Sequence, residues 1–244
     1  MLGGSLMNLS EHLSKQFDAD LTALRSRVVE MGGMVDEQFK RAIEALATGK
    51  TMLAEEVIRN DASVNALEVR IDDACAHLIA KRQPAASDLR MVLGVSKIVS
   101  ELERIGDKAR KVARLTARVS ELGGNDAGWI GDIERLAEGA RRMLRESLNA
   151  FVRSDLESAV NVLRANRDFA GDTSVVSKEV VRRMSAQPEN VTTLLDMLSI
   201  TRAVDRVADH AANIAEHLVY IVRGTDVRHA TLEQIEKEAL SPRR

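Results

Sequence analysis

The first internal proline, Pro84, lies at the centre of a mirror-symmetric set of polar residues. Asp61 and Asp107 lie 23 residues on either side of it, and Asn65 and Glu103 lie 19 on either side. If the proline marks a bend between two antiparallel helices, residues at equal distances from the bend come side by side. Within each helix the spacing of four places both polar residues on one face, about one turn apart. The sequence therefore predicts a helical hairpin with acidic side chains facing each other.

The second internal proline, Pro188, lies at the centre of a similar set. Asp168 and Asp209 have their midpoint beside this proline, and so do Asp172 and Asp205. All four positions of this second set are acidic, whereas Asn65 interrupts the first. Carboxylates clustered in this way repel one another unless cations lie between them. The paired hairpins predict a duplicated acidic patch that binds metal ions.

The motif itself is repeated at an offset of 102 residues. Residues 102–109 read Leu-Glu-Arg-Ile-Gly-Asp-Lys-Ala, and residues 204–211 read Val-Asp-Arg-Val-Ala-Asp-His-Ala. Small residues, Gly106 and Ala208, lie three positions after the first acid of each motif and leave room for an ion or for a neighbouring helix. The repeat predicts two similar halves.

Composition favours an all-α chain. Only 2% of residues are aromatic and three are prolines, against the usage of sheet proteins. Helix signals predict six long segments and a short one: about 8–48 with a cap at Asn8, 51–82, 87–122 with a cap at Ser87, 130–152, a segment opened by a capping box at 154–157 and ending at Pro188, a segment ending near Gly224, and 231–240. Helices this long need partners along their length, as in bundles.

We therefore predict two tandem three-helix bundles related by an internal repeat. The first spans residues 1–123, the second 124–226, and a tail with a short helix spans 227–244. The loop 123–128, Gly-Gly-Asn-Asp-Ala-Gly, is the predicted boundary. An apolar stripe at helical spacing marks the core face of the third helix: Leu89, Val92, Leu93, Val95, Ile98, Val99, Leu102 and Ile105.

The predicted metal ligands are all carboxylates. They are Asp61, Glu103, Asp107, Asp168, Asp172, Asp205 and Asp209. Such hard oxygen ligands suit divalent or trivalent ions, among them Mg²⁺, Ca²⁺, Mn²⁺ and iron. The identity of the metal stays open, zinc included. The alternative is a solvated acidic face, because pairs of acids four residues apart are common on exposed helices. His210 and His217 lie on one helix face and either extend the second site or are ordinary polar residues.

Several function classes are disfavoured. A net charge of −2 and a single Trp and Tyr argue against nucleic-acid binding. The one cysteine, Cys75, excludes an intrachain disulfide, and no long apolar run or secretory pattern occurs. The expectation is a soluble, cytoplasmic protein. No Glu-x-x-His, His-Glu-x-x-His, Walker or dinucleotide-binding motif occurs, and no nucleophilic constellation stands out.

These motifs resemble the PhoU family, bacterial accessory and signalling proteins of phosphate transport. The likeness is carried by Glu101–Ala113, Asp205–Glu216 and Gln83–Arg90, while Met31–Val35 and Val219–Gly224 resemble the family's first and last helices. It covers nearly the whole chain in the right order. The second motif reads Asp-Arg-Val-Ala-Asp where the family usually has Glu-Arg-Ile-Gly-Asp, so the shorter Asp205 side chain reaches less far toward an ion.

The resemblance implies two bundles in pseudo-twofold relation, with multinuclear metal clusters on the repeated motifs. It assigns Asp61, Glu103 and Asp107 to one site and Asp168, Asp172, Asp205 and Asp209 to the other. It also implies a non-enzymatic repressor of the phosphate-starvation response. Such a protein links the ATPase subunit of the phosphate ABC transporter to a membrane sensor histidine kinase, forms a homo-oligomer such as a dimer, and reaches the membrane only through these partners.

Two other functions stay open from the sequence. One is a metal-dependent hydrolase of a phosphorylated small molecule, in which clustered carboxylates activate water. The other is a helical adaptor whose acids only increase solubility.

Overall fold

The computed structural model describes residues 3–122 and 127–242, and it describes side chains over residues 16–122 and 128–242. The described part of the chain is helical and contains no strand. Its helices are α1 Gly3–Thr48, α2 Thr51–Arg82, α3 Ala86–Glu121, α4 Ala127–Arg153, α5 Leu156–Ala186, α6 Val191–Arg223 and α7 Leu232–Leu240, with a 3₁₀ turn at Pro188–Asn190 before α6. None of the described helices is long and apolar enough to cross a membrane.

Helices α1, α2 and α3 pack against one another, and so do α4, α5 and α6. The two bundles meet mainly through α3 and α6, and α1 also touches α4. A single cluster of buried apolar side chains runs through both. This confirms the predicted fold class, an all-α tandem of three-helix bundles. The domain boundaries at 123 and 226 stay predictions.

The core stripe predicted for α3 is buried at six of its eight positions, with Ile98, Leu102 and Ile105 fully enclosed. Leu89 is half-buried and Leu93 is exposed. Val92, which lies between them, is fully buried, and Leu93 lies about 100° around the helix from Val92, at the edge of the stripe. The helical pattern therefore predicts the interior of α3 and fails near its first turns.

Several predicted helix starts are wrong by a few residues. Helix α1 begins at Gly3 rather than at a cap at Asn8, and α3 begins at Ala86, so Ser87 lies inside it. The cap of α5 is Asp155 instead of Ser154, and its carboxylate accepts hydrogen bonds from the backbone N–H groups of Glu157 and Ser158. Capping side chains compete within a short polar run, and aspartate satisfies the free N–H groups as well as serine does.

Two predicted ends hold. Gly49 follows α1 with a φ of +67°, and Gly224 follows α6 with a φ of +86°. Both angles lie in the left-handed region that suits glycine, the usual residue just beyond a helix. The predicted loop 123–128 falls largely on 123–126, outside the described residues, and α4 starts at Ala127 instead of Ile130.

The two proline bends differ in construction. Before Pro84, Gln83 takes a left-handed conformation with a φ of 48°, and its N–H donates to Ile79 O at 2.9 Å. Pro188 instead opens a 3₁₀ turn, which separates α5 from α6.

The bundle interface predicts a difference between two helical glycines. A Cβ at buried Gly94 in α3 would overlap the side chain of Ile221 in α6, whereas a Cβ at exposed Gly33 would meet nothing within 4 Å. We expect Gly94→Val to lower the free energy of unfolding by about 1–3 kcal/mol through overpacking. Gly33→Val, the matched control, should change it by less than about 0.5 kcal/mol. Urea unfolding followed by circular dichroism measures both, and equal stability of the two variants would contradict the packing.

Candidate functional site

The first acidic set centres on Asp61, a residue of α2 that is only 3% exposed. Its carboxylate forms a salt bridge with Arg110 Nη1 of α3 at 2.7 Å and accepts a hydrogen bond from Gln38 Nε2 of α1 at 3.3 Å. A buried carboxylate is costly unless it is paired and hydrogen-bonded, and all three helices of the first bundle contribute to this pairing.

Asp107 lies beside Asp61, because the same Arg110 guanidinium contacts both carboxylates. Glu103 belongs to the same cluster. Burial, together with the negative charges of Asp107 and Asp61, raises its pKa above the ordinary value. Burial and then the charges of Glu103, Asp72 and Asp107 also raise the pKa of Glu68. The structure thus brings the three predicted residues of the first set together, and it adds Arg110 and Gln38.

Gly106, the small residue between the acids of the first motif, lies against Gln38 of α1 and Asp61 of α2. A Cβ on Gly106 would lie 3.6 Å from Gln38 Oε1 and 3.7 Å from Asp61 Oδ1. The oxygen Gln38 Oε1 is itself buried and accepts no hydrogen bond, and so is Asn65 Oδ1. An unpartnered buried oxygen beside a buried carboxylate is a feature that needs an explanation, such as an ion or a water molecule.

The second acidic set has a different arrangement. Asp205 in α6 accepts a hydrogen bond from the Thr173 hydroxyl of α5 at 2.8 Å. Asp209 uses both carboxylate oxygens, one for Asn166 Nδ2 at 3.3 Å and one for Arg206 Nη1 at 2.8 Å. The residues of α5 that meet the two aspartates are therefore neutral.

Asp168 and Asp172 were predicted to face Asp209 and Asp205, and the structure contradicts this placement. Both are exposed, and Asp168 lies 3.6 Å from the neighbouring Arg167. At about 100° per residue, Asp168 points roughly 200° away from Asn166, and Asp172 about 100° away from Thr173. A mirror about Pro188 gives the height of a residue along α5 but not the side of the helix on which it lies, so it selects Asp168 and Asp172 instead of Asn166 and Thr173.

Within the described residues, no group of three or more His, Cys, Asp or Glu side chains is arranged to hold a metal ion. In the first set the donors are suitable in kind: hard carboxylate oxygens and the free amide oxygen of Gln38. The Arg110 guanidinium lies among them and provides the positive charge there. Metal binding by the seven carboxylates stays a prediction.

A polar cluster between the two bundles was missed. Glu101 of α3 is buried, with His210 Nδ1 of α6 at 2.7 Å and Asn213 Nδ2 donating at 3.0 Å. His217 Nε2 lies 3.9 Å from its other oxygen. Burial alone would raise the pKa of Glu101, but the hydrogen bonds from His210, His217 and Asn213 hold it well below its usual range.

Two sequence signals could have revealed this cluster. Glu101 interrupts the apolar stripe of α3, and its counterpart at the repeat offset of 102 is the buried Ala203. His210, Asn213 and His217 share one face of α6 by their spacing of three and four. A buried acid on one helix and a polar stripe on the helix that contacts it can satisfy each other.

Glu216 lies one turn from the same cluster. Burial, followed by the negative charges of Asp226 and Glu101, raises its pKa to about 7, and Arg228 opposes the shift. This carboxyl is therefore partly protonated at neutral pH, unlike the ionised Glu101.

Comparison with known proteins places these features in a family. The PhoU domain model matches residues 28–116 and 133–218, one match in each bundle. The PhoU homologue of Pseudomonas aeruginosa, a phosphate-specific transport system accessory protein, is 38% identical over 95% of both chains. The accessory protein PhoU of Escherichia coli K12 is 36% identical with the same coverage.

Solved structures agree. The crystal structure of PhoU from P. aeruginosa superimposes with a TM-score of 0.82 at 37% identity, over 86% of this chain and all of that one. The phosphate transport system regulatory protein PhoU of Streptococcus pneumoniae gives a TM-score of 0.80 at 29% identity, over 86% of this chain and 99% of that one. A doubled three-helix bundle with a repeated acidic motif defines the class. The chain belongs to the PhoU family.

The buried charge of Asp61 predicts a large effect at Arg110. Arg110→Ala removes the ion-pair partner from an enclosed carboxylate, and we expect the free energy of unfolding to fall by about 3 kcal/mol. The control is Arg59→Ala, which breaks an exposed pair with Glu55 and should cost less than about 1 kcal/mol. Chemical denaturation at pH 7 measures both. A loss at Arg110 no greater than at Arg59 would show that Asp61 does not depend on this pair.

The raised pKa of Glu216 predicts a pH-dependent stability. The folded state holds the proton more tightly than the unfolded chain does. Ionisation of this carboxyl therefore leaves the free energy of unfolding unchanged below the unfolded pKa and lowers it increasingly as pH rises toward about 7. Glu216→Gln imitates the protonated form. We expect the variant and the wild type to have equal urea midpoints near pH 4 and the variant to have the higher midpoint near pH 8. A difference that is independent of pH would contradict the assignment.

Proposed function

We propose that this protein is a non-enzymatic accessory protein that regulates phosphate uptake and represses the phosphate-starvation response when phosphate is plentiful. The observation that carries the proposal is the match of the PhoU domain to both bundles. Relatives named as accessory proteins of the phosphate-specific transport system support it along nearly their whole length. Both acidic sets reach the surface, at Asp107 and Asp209, which also fits a protein that binds partners.

We further propose that it acts as an adaptor. One partner is the ATPase subunit of the phosphate ABC transporter, and the other is the sensor histidine kinase of the phosphate response. Two similar bundles present two similar but unequal surfaces, which suits a protein that contacts two different partners. A tagged copy in phosphate-replete cells should retain both partners, and retention of neither would refute the adaptor role.

The metal-binding part of the proposal assigns Asp61, Glu103 and Asp107 to the first site, with Gln38 Oε1 as an additional oxygen. The second site uses Asp205 and Asp209; Asp168 and Asp172 join it only if α5 turns. Support comes from the crowding that raises the pKa of Glu103 through burial and neighbouring charges, and from the free oxygen of Gln38. When bound, a multivalent ion supplies positive charge that neutralises the acids and attracts carboxylates or phosphates of a partner.

In this arrangement Arg110 is the resident cation of the first site. Its side chain is partly exposed, and it reaches Asp61 and Asp107 from one turn away on α3. Uptake of a metal would require this guanidinium to swing outward. The second site has no comparable bridging cation, since Arg206 contacts Asp209 and the Thr173 hydroxyl contacts Asp205.

The proposal predicts that Asp205→Ala combined with Asp209→Ala lowers both metal content and repression. Metal content is measured by elemental analysis of protein purified without chelator, and repression by a phosphate-starvation reporter in cells lacking the chromosomal copy. Asp132→Ala, which removes an exposed acid paired with Arg135 on α4, is the control and should change neither. Unchanged metal content together with full repression in the double variant would refute the metal role.

A further inference from the structure

A cleft with a volume of about 500 Å³ lies where α3 of the first bundle meets α5, α6 and α7 of the second. Three arginines line it: Arg104 of α3, Arg167 of α5 and Arg206 of α6. We propose that this cleft binds a small organic molecule that carries a phosphate group. The inference deepens the proposed regulatory function by giving it a small-molecule ligand, and it does not depend on metal binding.

The three guanidinium groups keep donors free for such a ligand. Each has one carboxylate neighbour: Arg206 contacts Asp209 at 2.8 Å, Arg104 lies 3.6 Å from Glu101, and Arg167 lies 3.6 Å from Asp168. All three side chains are more than half exposed. Since a guanidinium offers five N–H donors and exposed pairs contribute little, a phosphate can be added without displacing a buried partner. The planar fork of arginine matches phosphate oxygens.

The acidic groups of the cleft oppose an anion only weakly. Asp209 has both oxygens occupied by Asn166 and Arg206, and Glu101 lies behind the wall under His210 and Asn213. Glu216, the remaining acid of the lining, is partly protonated at neutral pH. The groups that line the cleft therefore carry more positive than negative charge, with three arginines against Asp209 and a partly protonated Glu216, although the whole chain has a net charge of −2.

Part of the lining of the cleft is apolar. Leu163 of α5 and Leu232 and Ile235 of α7 line it. The Arg164–Glu236 ion pair, at 2.7 Å, holds helix α7 against α5. A capping box at Thr231 stabilises the N-terminus of α7. The volume falls in the range of small-molecule sites, roughly 300–1,000 Å³. An inorganic phosphate would use the arginines only, so the size and mixed lining of the cleft favour a phosphate ester whose carbon part contacts the leucines and the isoleucine.

The position of the cleft gives such a ligand a structural role. Arg104 and Arg206 are equivalent residues of the repeated motif, 102 positions apart, and both reach the one cleft. A ligand held by both connects the first bundle to the second at their main interface. It also lies directly beside Asp209, a predicted residue of the second acidic set.

The test is isothermal titration calorimetry of the full chain with AMP, glucose 6-phosphate and inorganic phosphate, with adenosine and sulfate as controls. We expect one site per chain, binding of at least one phosphate ester, and at least a tenfold loss of affinity in the double variant Arg167→Ala/Arg206→Ala. The matched variant Arg135→Ala/Arg182→Ala removes two equally exposed arginines elsewhere and should bind as the wild type does. Circular dichroism confirms that both variants fold.

The outcomes separate the possible sources of the phosphate group. Binding of inorganic phosphate as tight as that of the esters identifies free phosphate as the ligand. It overturns the proposal of an organic ligand, because the apolar residues then contribute nothing to affinity. Failure of all three phosphates to bind overturns the proposal. Equal binding of sulfate, or an affinity that the Arg167→Ala/Arg206→Ala substitutions leave unchanged, overturns it as well, because attraction would then be unspecific.

A second measurement examines the electrostatic argument. The charged and titratable groups around Glu216 are Glu101 and Arg104 of α3, Arg167 of α5, Arg206, Asp209 and His210 of α6, and Asp226 and Arg228 beyond it. Ionisation of Glu216 adds a negative charge, so affinity for the ester should fall as pH rises through about 7. Glu216→Gln should bind more tightly than the wild type at pH 8 and equally at pH 6. The ionisation of the ligand's own phosphate, near pH 6, is common to both proteins and cancels in the comparison.

A gene deletion, compared with the binding measurement, separates this inference from the proposed function. If deletion of the gene derepresses the starvation reporter but no phosphate binds to the purified chain, the inference fails and the regulatory function stands. If the esters bind but deletion leaves phosphate uptake and the reporter unchanged, the regulatory function fails and the cleft is a binding site for another purpose.

Discussion

The structure depends on the packing of α3 against α6, which joins the two bundles into one core. Apolar side chains provide most of the contact, but a buried acid, Glu101, lies within it and must be satisfied from the other bundle. His210 and Asn213 do so at 2.7 and 3.0 Å. Removal of either partner would leave a buried polar group unpaired, which costs more than the bond contributes when it is made. The polar cluster therefore fixes the orientation of one bundle on the other.

Much of the fold could be predicted from the sequence, because long helices leave clear periodic signals. The hairpin about Pro84 also correctly brought Asp61 beside Asp107 and Glu103. The hairpin about Pro188 did not, since the mirror gives the height of a residue along α5 but not the side of the helix that it occupies. Thr173 and Asn166, neither of them charged, therefore hold the positions expected for Asp172 and Asp168.

Tertiary partners were harder to foresee than faces. Gln38 reaches Asp61 from α1, a helix that carries no part of the repeated motif, and Arg110 lies one residue beyond the motif. Both matter because Asp61 is enclosed, and enclosure depends on how three helices close around it. Sequence periodicity gives the face on which a residue lies, but it does not say which neighbour supplies the countercharge.

The two halves have diverged in how they balance the same acids. In the first, Arg110 contacts the buried Asp61 and the partly exposed Asp107. In the second, the equivalent acids bond to neutral groups and to Arg206, whose exposed guanidinium faces a cleft shared with Arg104 and Arg167. An acidic motif can thus produce a positively charged cavity when its carboxylates are neutralised locally and its arginines point outward. Sequence similarity between the two repeats consequently predicts a shared fold, while the ligand that each half prefers is decided by which of its charges remain free.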